Sequence, residues 1–152
     1  MPVIRAAEVS SETASETHLA RGFGTYQALL YSDDGGLSQF GAFVEVLAPG
    51  SRSGAAHWHE AEDEFIYVLE GSLRLFEGDL CFDLAPGDAA TFKAGVAKGH
   101  YLMNASAQTV RYLVVGTRAP RDVAHLTEED AVLHREGAKK LWTDRAGKPI
   151  AR

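Results

Sequence analysis

The stretch that decides the fold is residues 57–71, HWHEAEDEFIYVLEG. Because successive side chains of a β-strand face opposite sides, His57 and His59 lie on the same face of a short strand. Glu64 follows after a short acidic connection and opens the apolar run 65–69, which has the length and composition of a second strand. The stretch therefore predicts two strands that offer two imidazoles and one carboxylate to a common point.

The pattern of short strands extends in both directions from this stretch. From residue 22 to residue 117, short apolar runs alternate with Gly, Pro and Asp turns, which predicts an all-β domain. Glu70-Gly71 fits a two-residue loop of a β-hairpin. We expect strands at 23–31, 38–47, 57–60, 64–70, 73–77, 79–84, 89–93, 100–104 and 109–116.

The two flanking segments differ from this region. Residues 1–21 are rich in Ser, Thr and Glu and are predicted to form a polar N-terminal arm. In residues 118–152, Thr127-x-x-Asp130 is a capping signal for a short helix. We therefore expect a short helical turn and a mostly irregular C-terminal tail that packs on the barrel, and no second domain.

Composition limits the possible partners and location. The chain has 152 residues and a formal net charge of -6, which argues against binding to nucleic acid or to an anionic membrane surface. Its one cysteine, Cys81, cannot form a disulfide within the chain. The first twenty residues lack the apolar run of a signal peptide, so we expect a cytoplasmic protein.

A third histidine completes a candidate metal site. His100 opens another predicted strand, and a barrel can bring it back to His57, His59 and Glu64. Three neutral imidazoles and one carboxylate suit one divalent transition metal ion, namely Zn²⁺, Fe²⁺, Mn²⁺, Ni²⁺ or Co²⁺. Octahedral coordination would leave positions open for water or substrate, which is the condition for metal catalysis.

Two sequence patterns resemble those of a known family. The pattern Gly50-x6-His57-x-His59-x4-Glu64-x6-Gly71 resembles the first conserved motif of the cupin superfamily. The pattern Gly87-x7-Gly95-x4-His100-x3-Asn104 resembles the second. The second pattern departs from the family in two ways: Lys93 stands where a proline is common, and two extra residues separate Gly95 from His100. These two residues lengthen the loop before the fourth ligand.

The resemblance implies a jelly-roll, or double-stranded β-helix, barrel, a metal ion held by the four residues named above, and a homodimer. It does not imply one reaction, because cupins include isomerases, epimerases, dioxygenases, decarboxylases and binding domains. One interpretation is a metal-dependent enzyme on a small polar or anionic molecule, either an isomerase of a sugar or sugar phosphate or an iron-dependent dioxygenase. The alternatives are a non-catalytic small-molecule binding or sensor module, and a metal with a purely structural role.

Strand periodicity also predicts which side chains face the cavity. With Glu64 inward, Ile66 and Val68 face inward, while Phe65, Tyr67 and Leu69 face outward. If Glu70-Gly71 is a hairpin loop, Leu73 and Leu75 face inward and Arg74 lies outside, beside Tyr67.

Two residues are candidates for substrate binding. If residues 105–108 form a loop, Leu102 pairs with Arg111, which would then face the cavity and bind an anion. The alternative is an outward Arg111 on the solvent face. Arg111 and Tyr101 are thus the candidate substrate-binding residues, and Tyr101 or Tyr112 could assist proton transfer.

Overall fold

The computed structural model describes residues 2–13, 19 and 22–152. Within these ranges the chain is almost entirely β-structure, as the sequence predicts. The nine expected strands correspond to β2–β10. The elements are β1 (Ser11–Thr13), β2 (Tyr26–Leu29), α1 (Tyr31–Asp34), β3 (Phe40–Leu47), β4 (His57–His59), β5 (Glu64–Glu70), β6 (Leu73–Glu77), β7 (Leu80–Leu84), β8 (Ala89–Phe92), β9 (His100–Met103), β10 (Val110–Thr117), β11 (Arg121–Leu126), β12 (Val132–Glu136) and β13 (Lys139–Thr143).

The described strands form two antiparallel sheets. The first sheet has the order β1-β2-β3-β10-β5-β8, and the second has the order β13-β12-β11-β4-β9-β6-β7. From β3 to β11 the chain crosses between the sheets at almost every connection, β6–β7 being the exception. This winding of one chain through two facing sheets is the double-stranded β-helix, so the predicted fold class is confirmed.

Two predicted hairpins are wrong, because the chain changes sheets where a local turn was expected. β5 pairs with β10 and β8, whereas β6 pairs with β9 and β7. Gly71, at the crossing, has φ +85°, and a Cβ atom there would lie 2.6 Å from Cγ2 of Val110. β9 and β10 also lie in different sheets, so Leu102 does not pair with Arg111.

The predicted inward and outward faces of β5 and β6 nevertheless hold, although Arg74 pairs with Asp83 and Met103 of its own sheet and does not lie beside Tyr67. Ile66 and Val68 are 2% and 0% exposed, and they pack with Leu73 and Leu75 of the other sheet in the main core. Tyr67 is exposed, as is Leu69, on the opposite face of β5. Facing survives the wrong pairing because it depends on the alternation within one strand and not on the identity of the neighbouring strand.

The prediction for residues 118–152 is also wrong in its secondary structure. Residues 121–143 form β11, β12 and β13, and β11 pairs with β4, so this segment extends the second sheet. Residues 127–130 form a bend and not a helical turn. Trp142 and Ile150 pack in a second hydrophobic cluster with Leu126 and Leu133.

In the described ranges, no helix is long and apolar enough to span a membrane. Helix α1 has only four residues.

Candidate metal centre

The four predicted ligands meet between the two sheets. We call His57, His59, Glu64 and His100 the His/Glu cluster. His57 on β4 lies directly opposite His100 on β9, and Glu64 reaches them from the first residue of β5 in the other sheet. Oε1 of Glu64 is 3.2 Å from Nε2 of His59, 3.2 Å from Nε2 of His100 and 3.8 Å from Nε2 of His57.

Two of the imidazoles are oriented by partners on their far side. Nδ1 of His57 donates to the carbonyl oxygen of Ala55 at 2.7 Å, and Nδ1 of His59 lies 2.5 Å from Oδ2 of Asp122. Asp122 is buried and also accepts from the backbone N–H of Ala61 at 3.0 Å. Because each Nδ1 is occupied, the two Nε2 atoms are the ones available to a metal, as in many metal centres with a carboxylate behind the histidine.

The electrostatics of the cluster follow from its burial. Burial lowers the pKa of His57 to about 4, so this ring is neutral at pH 7, the form that binds metals. Burial also opposes the charged form of His59, but its contacts with Asp122 and Glu64 outweigh this and raise its pKa to about 10. Against its own burial, Glu64 has a pKa well below the usual range because His100 and His59 stabilise its carboxylate.

The cluster fits a divalent transition metal ion. Oε1 of Glu64 is buried and, among the described residues, has no hydrogen-bond partner of good geometry, although three imidazole nitrogens surround it. A buried carboxylate oxygen without a donor is costly, and a cation shared with the nitrogens removes this cost. His57, His59 and Glu64 have ligand atoms within 4.8 Å of one another. The donor set of three nitrogens and one oxygen suits Zn²⁺, Fe²⁺, Mn²⁺, Co²⁺ or Ni²⁺.

An inner cavity of about 230 Å³ lies against the cluster. Most of its wall is apolar, and Glu45 on β3 supplies a second carboxyl group, 9% exposed. The Tyr112 hydroxyl donates a hydrogen bond to Glu45, and Tyr26 contacts the same carboxyl group. Besides the cluster, the cavity is lined by Leu19, Tyr26, Phe43, Glu45, Ser53, Ile66, Phe92, Leu102 and Val114.

Burial raises the pKa of Glu45 to about 8, although the hydrogen bond from Tyr112 opposes this shift. Glu45 was not among the residues predicted from the sequence. The available signal was an acidic residue inside the apolar run 42–47, where a buried charge needs a partner. Asp122 was missed as well, because its segment was expected to be irregular.

An outer cavity of about 220 Å³ lies against the other side of the cluster. His59, Glu64, Phe92 and His100 line both cavities. The rest of the outer wall is more polar and contains Trp58, Glu62, Glu77, Thr91, Lys93, Val96 and Lys98.

The two predicted substrate-binding residues lie outside both cavities. Nε of Arg111 is 3.9 Å from Oε2 of Glu70, and the Arg111 side chain is 38% exposed. Arg111 therefore faces outward, which was the alternative to the predicted inward position. The ring of Tyr101 stacks on Phe76. The Cζ atom of Arg52 lies 3.5 Å from the centroid of the Tyr101 ring. The structure therefore brings neither residue to the cluster, and Tyr112 reaches the inner cavity only through Glu45.

Comparison with known proteins agrees with this geometry. The cupin domain model matches residues 43–116, which include all four cluster residues. The chain belongs to the cupin superfamily, and its described residues form a single barrel of the small cupin type. No protein among the curated ones compared matches the sequence significantly.

Several solved structures share the fold. A sugar phosphate isomerase of the cupin superfamily from Silicibacter pomeroyi is 31% identical, with a TM-score of 0.89, over 99% of this chain and 97% of that one. A provisionally assigned sugar phosphate isomerase from Acidithiobacillus ferrooxidans is 24% identical, with a TM-score of 0.80, over 99% and 96%. The polyketide cyclase RemF from Streptomyces resistomycificus is 25% identical, with a TM-score of 0.60, over 77% and 79%. The fold thus accommodates different chemistries.

Proposed function

We propose that this protein is a metal-dependent isomerase that interconverts the aldehyde and ketone forms of a sugar or sugar phosphate. The observation that carries the proposal is one cavity lined both by the His/Glu cluster and by a separate buried carboxyl group, Glu45. The 31% identity to a protein described as a sugar phosphate isomerase supports the same class of reaction.

The cluster would hold one divalent ion, which when bound acts as a Lewis acid toward the carbonyl and hydroxyl oxygens of a substrate. The chain prepares the ligand atoms for this role. Ala55 and Asp122 fix the rings of His57 and His59, so these side chains need little reorganisation when the site is used.

We assign the proton transfer between carbon atoms to Glu45. Isomerisation moves one proton from the carbon beside the carbonyl group to the carbonyl carbon and a second proton between the two oxygens, with no net oxidation. As a carboxylate Glu45 accepts the carbon-bound proton, and as an acid it returns this proton to the neighbouring carbon. A pKa of about 8 makes both forms accessible near neutral pH, as general acid–base catalysis requires.

Two features of the cavity support this role. Tyr112, which is fully buried, donates to Glu45 and holds its carboxyl group in place. Phe43, Ile66 and Val114 form apolar parts of the wall. Apolar surroundings of low dielectric strengthen the electrostatic interactions of a developing negative charge.

The test is a turnover assay on the full chain, loaded separately with Zn²⁺, Mn²⁺, Fe²⁺, Co²⁺ and Ni²⁺. A panel of aldoses, ketoses and their phosphates is followed by NMR in deuterated water. We expect interconversion of at least one aldose–ketose pair with at least one ion, together with exchange of the carbon-bound proton. The matched inactive control is the variant carrying His57→Ala and His59→Ala.

Three results without sugar interconversion would contradict the proposal and favour an alternative. Oxygen consumption by the iron-loaded protein favours a dioxygenase. Tight binding of a small molecule without chemical change favours a binding or sensor module. A fall in melting temperature on metal removal, with no ligand bound by either form, favours a structural ion.

A further inference from the structure

The outer cavity joins two unpaired positive charges to the His/Glu cluster. Lys93 and Lys98 line this cavity together with His59, Glu64 and His100. Among the described residues, neither lysine side chain makes an ion pair or hydrogen bond. Most arginines in the same part of the chain are ion-paired: Arg52–Glu128, Arg74–Asp83, Arg111–Glu70, Arg118–Asp33, Arg121–Glu136, Arg135–Glu62 and Arg152–Glu129.

The loop that bears the two lysines is fixed against the cluster. The backbone N–H of Gly95 donates to the carbonyl oxygen of His59 at 2.8 Å, which ties the loop to the strand of two cluster residues. The N–H of Ala94 donates to Oδ1 of Asp63 at 2.8 Å, and the carbonyl oxygen of Gly99 accepts from Gly78 at 3.0 Å. Because the loop is held at both ends, the backbone of its two exposed lysines is kept beside the cavity that their side chains line.

The charges of the two cavities indicate where an anion would bind. The inner cavity contains Glu45 and no lysine or arginine among its lining residues, so a phosphate group is disfavoured there. In the outer cavity Glu62 is ion-paired with Arg135, which leaves Glu77 as the acidic side chain opposing the two lysines besides the cluster's own Glu64. Two ammonium groups match the charge of a phosphate monoester, which is between -1.5 and -2 at neutral pH.

We propose that the outer cavity is an anion subsite in which Lys93 and Lys98 bind the phosphate group of a phosphorylated sugar. This assignment rests on the proposed function for the position of the sugar. The carbonyl and hydroxyl groups then face the His/Glu cluster and the inner cavity, while the phosphate stays on the solvent side of the cluster. The lengthened loop between Gly95 and His100 carries Lys98 and so contributes directly to the subsite.

The test measures the binding of inorganic phosphate by isothermal titration calorimetry at low salt, with the zinc-loaded full chain freed of excess metal. Lys93→Gln with Lys98→Gln is expected to weaken phosphate binding about tenfold or more, since two charge-assisted contacts are lost. Glu77→Gln removes an opposing charge and is expected to strengthen phosphate binding about twofold or more.

Two controls accompany these variants. Lys139→Gln with Lys148→Gln makes the same change in net charge as the Lys93/Lys98 double variant, but away from both cavities, and should leave phosphate affinity unchanged. Acetate, with one negative charge, should bind the parent more weakly than phosphate.

Equal phosphate affinity in the parent and the Lys93/Lys98 double variant would overturn the subsite, because phosphate would then bind the metal or another surface. No phosphate binding by the parent at about 10 mM, the range of weak anion sites, would overturn it as well. If the enzyme is active, the double variant should raise KM for the phosphorylated sugar about tenfold with kcat nearly unchanged, and should leave KM for the unphosphorylated sugar as it was.

Failure of this inference and failure of the proposed function give different results. Phosphate affinity is measured without turnover, so lysine-dependent phosphate binding by a protein that isomerises no sugar contradicts the proposed function alone. Isomerisation of a sugar phosphate with unchanged KM in the Lys93/Lys98 double variant contradicts the subsite alone.

Discussion

The inner and outer cavities share a wall of the His/Glu cluster but differ in how they are built and charged. Strands of both sheets line the inner cavity, and its second carboxyl group, Glu45, is buried with two tyrosines. The loop of residues 93–99 borders the outer cavity and supplies its lysines. Electrostatic interactions are stronger around Glu45, which is buried, than around Lys93 and Lys98, which are exposed. The difference suggests that bond changes belong to the inner cavity and recognition of charge to the outer one.

The largest expected effect is the loss of metal from the His/Glu cluster, which lies between the two cavities. His57→Ala with His59→Ala removes two of the four predicted ligands, so we expect about one ion per chain in the parent and nearly none in the variant. The measurement is elemental analysis of protein purified without added metal. His125→Ala with His134→Ala is the matched control, since these histidines contact Glu60 and Thr143 outside the cluster. Equal metal content in all three proteins would remove the basis for the functional proposal.

The second prediction concerns the chemistry of the inner cavity alone. Glu45→Gln removes the proposed proton carrier but keeps the size of the side chain and an oxygen that can accept from Tyr112. We expect turnover to fall about 10²- to 10⁴-fold, the usual contribution of general acid–base catalysis, with metal content unchanged. Glu70→Gln, on an exposed side chain, is the control. Turnover of Glu45→Gln within threefold of the parent would exclude Glu45 as the base.

The third prediction uses the pH dependence of stability to distinguish the two cavities. Glu45 has a raised pKa of about 8, so it is protonated in the folded protein at neutral pH but ionised in the unfolded chain. The contribution of Glu45 to the free energy of unfolding is therefore most favourable below the pKa that this group has in the unfolded chain. It declines by about 4 kcal/mol as the pH rises toward 8. Glu45→Gln should raise the melting temperature relative to the parent more at pH 8.5 than at pH 5.

The control for this pH effect is Thr91→Val in the outer cavity, which changes no titratable group. Its difference from the parent in melting temperature should be similar at the two pH values. A pH-independent difference for Glu45→Gln as well would mean that the inner cavity does not suppress ionisation of Glu45.

The fourth prediction concerns the contact between Asp122 and Nδ1 of His59, on the side of the ring that faces away from Glu64. Asp122→Asn keeps a polar side chain next to Nδ1 of His59 but removes the negative charge that orients and polarises the ring. We expect metal affinity to fall about 10- to 100-fold, as for other changes behind a metal-bound histidine. Metal affinity is measured by competition with a chelator, and Asp83→Asn on the exposed β7 is the control. An unchanged affinity would show that the His59–Asp122 contact plays no part in metal binding.

The parts of the molecule that were predictable from sequence depend on short-range patterns. His57, His59 and Glu64 lie within eight residues, so strand alternation is enough to place them together. The crossing at Gly71 was mistaken for a hairpin because it depends on a close approach to Val110, which no local turn signal encodes. A local pattern fixes the face of a strand, whereas the choice of its partner is made by packing over the whole barrel.

The missed elements show the same limit. β13 contains two lysines at its start and has little apolar alternation, and it is a strand because β12 and β11 connect it to β4. β12 and β13 form a local hairpin, and only the pairing of β11 with β4 joins this segment to a distant part of the chain, which overrides weak propensity. Glu45 was missed for a related reason, since its burial depends on its cross-strand neighbour Tyr112 and on Tyr26.

The smallest expected effect is at Arg111, the residue whose predicted role the structure does not support. Its ion pair with Glu70 is long and joins two solvent-exposed side chains, and such pairs contribute about 0–1 kcal/mol to stability. Arg111→Ala should therefore lower the free energy of unfolding by no more than about 1 kcal/mol and leave KM and phosphate affinity within about twofold of the parent. Urea unfolding and calorimetry measure both quantities. A large loss of phosphate affinity in Arg111→Ala would shift anion recognition from the outer cavity to the outward face of β10, and the division of roles between the two cavities would no longer hold.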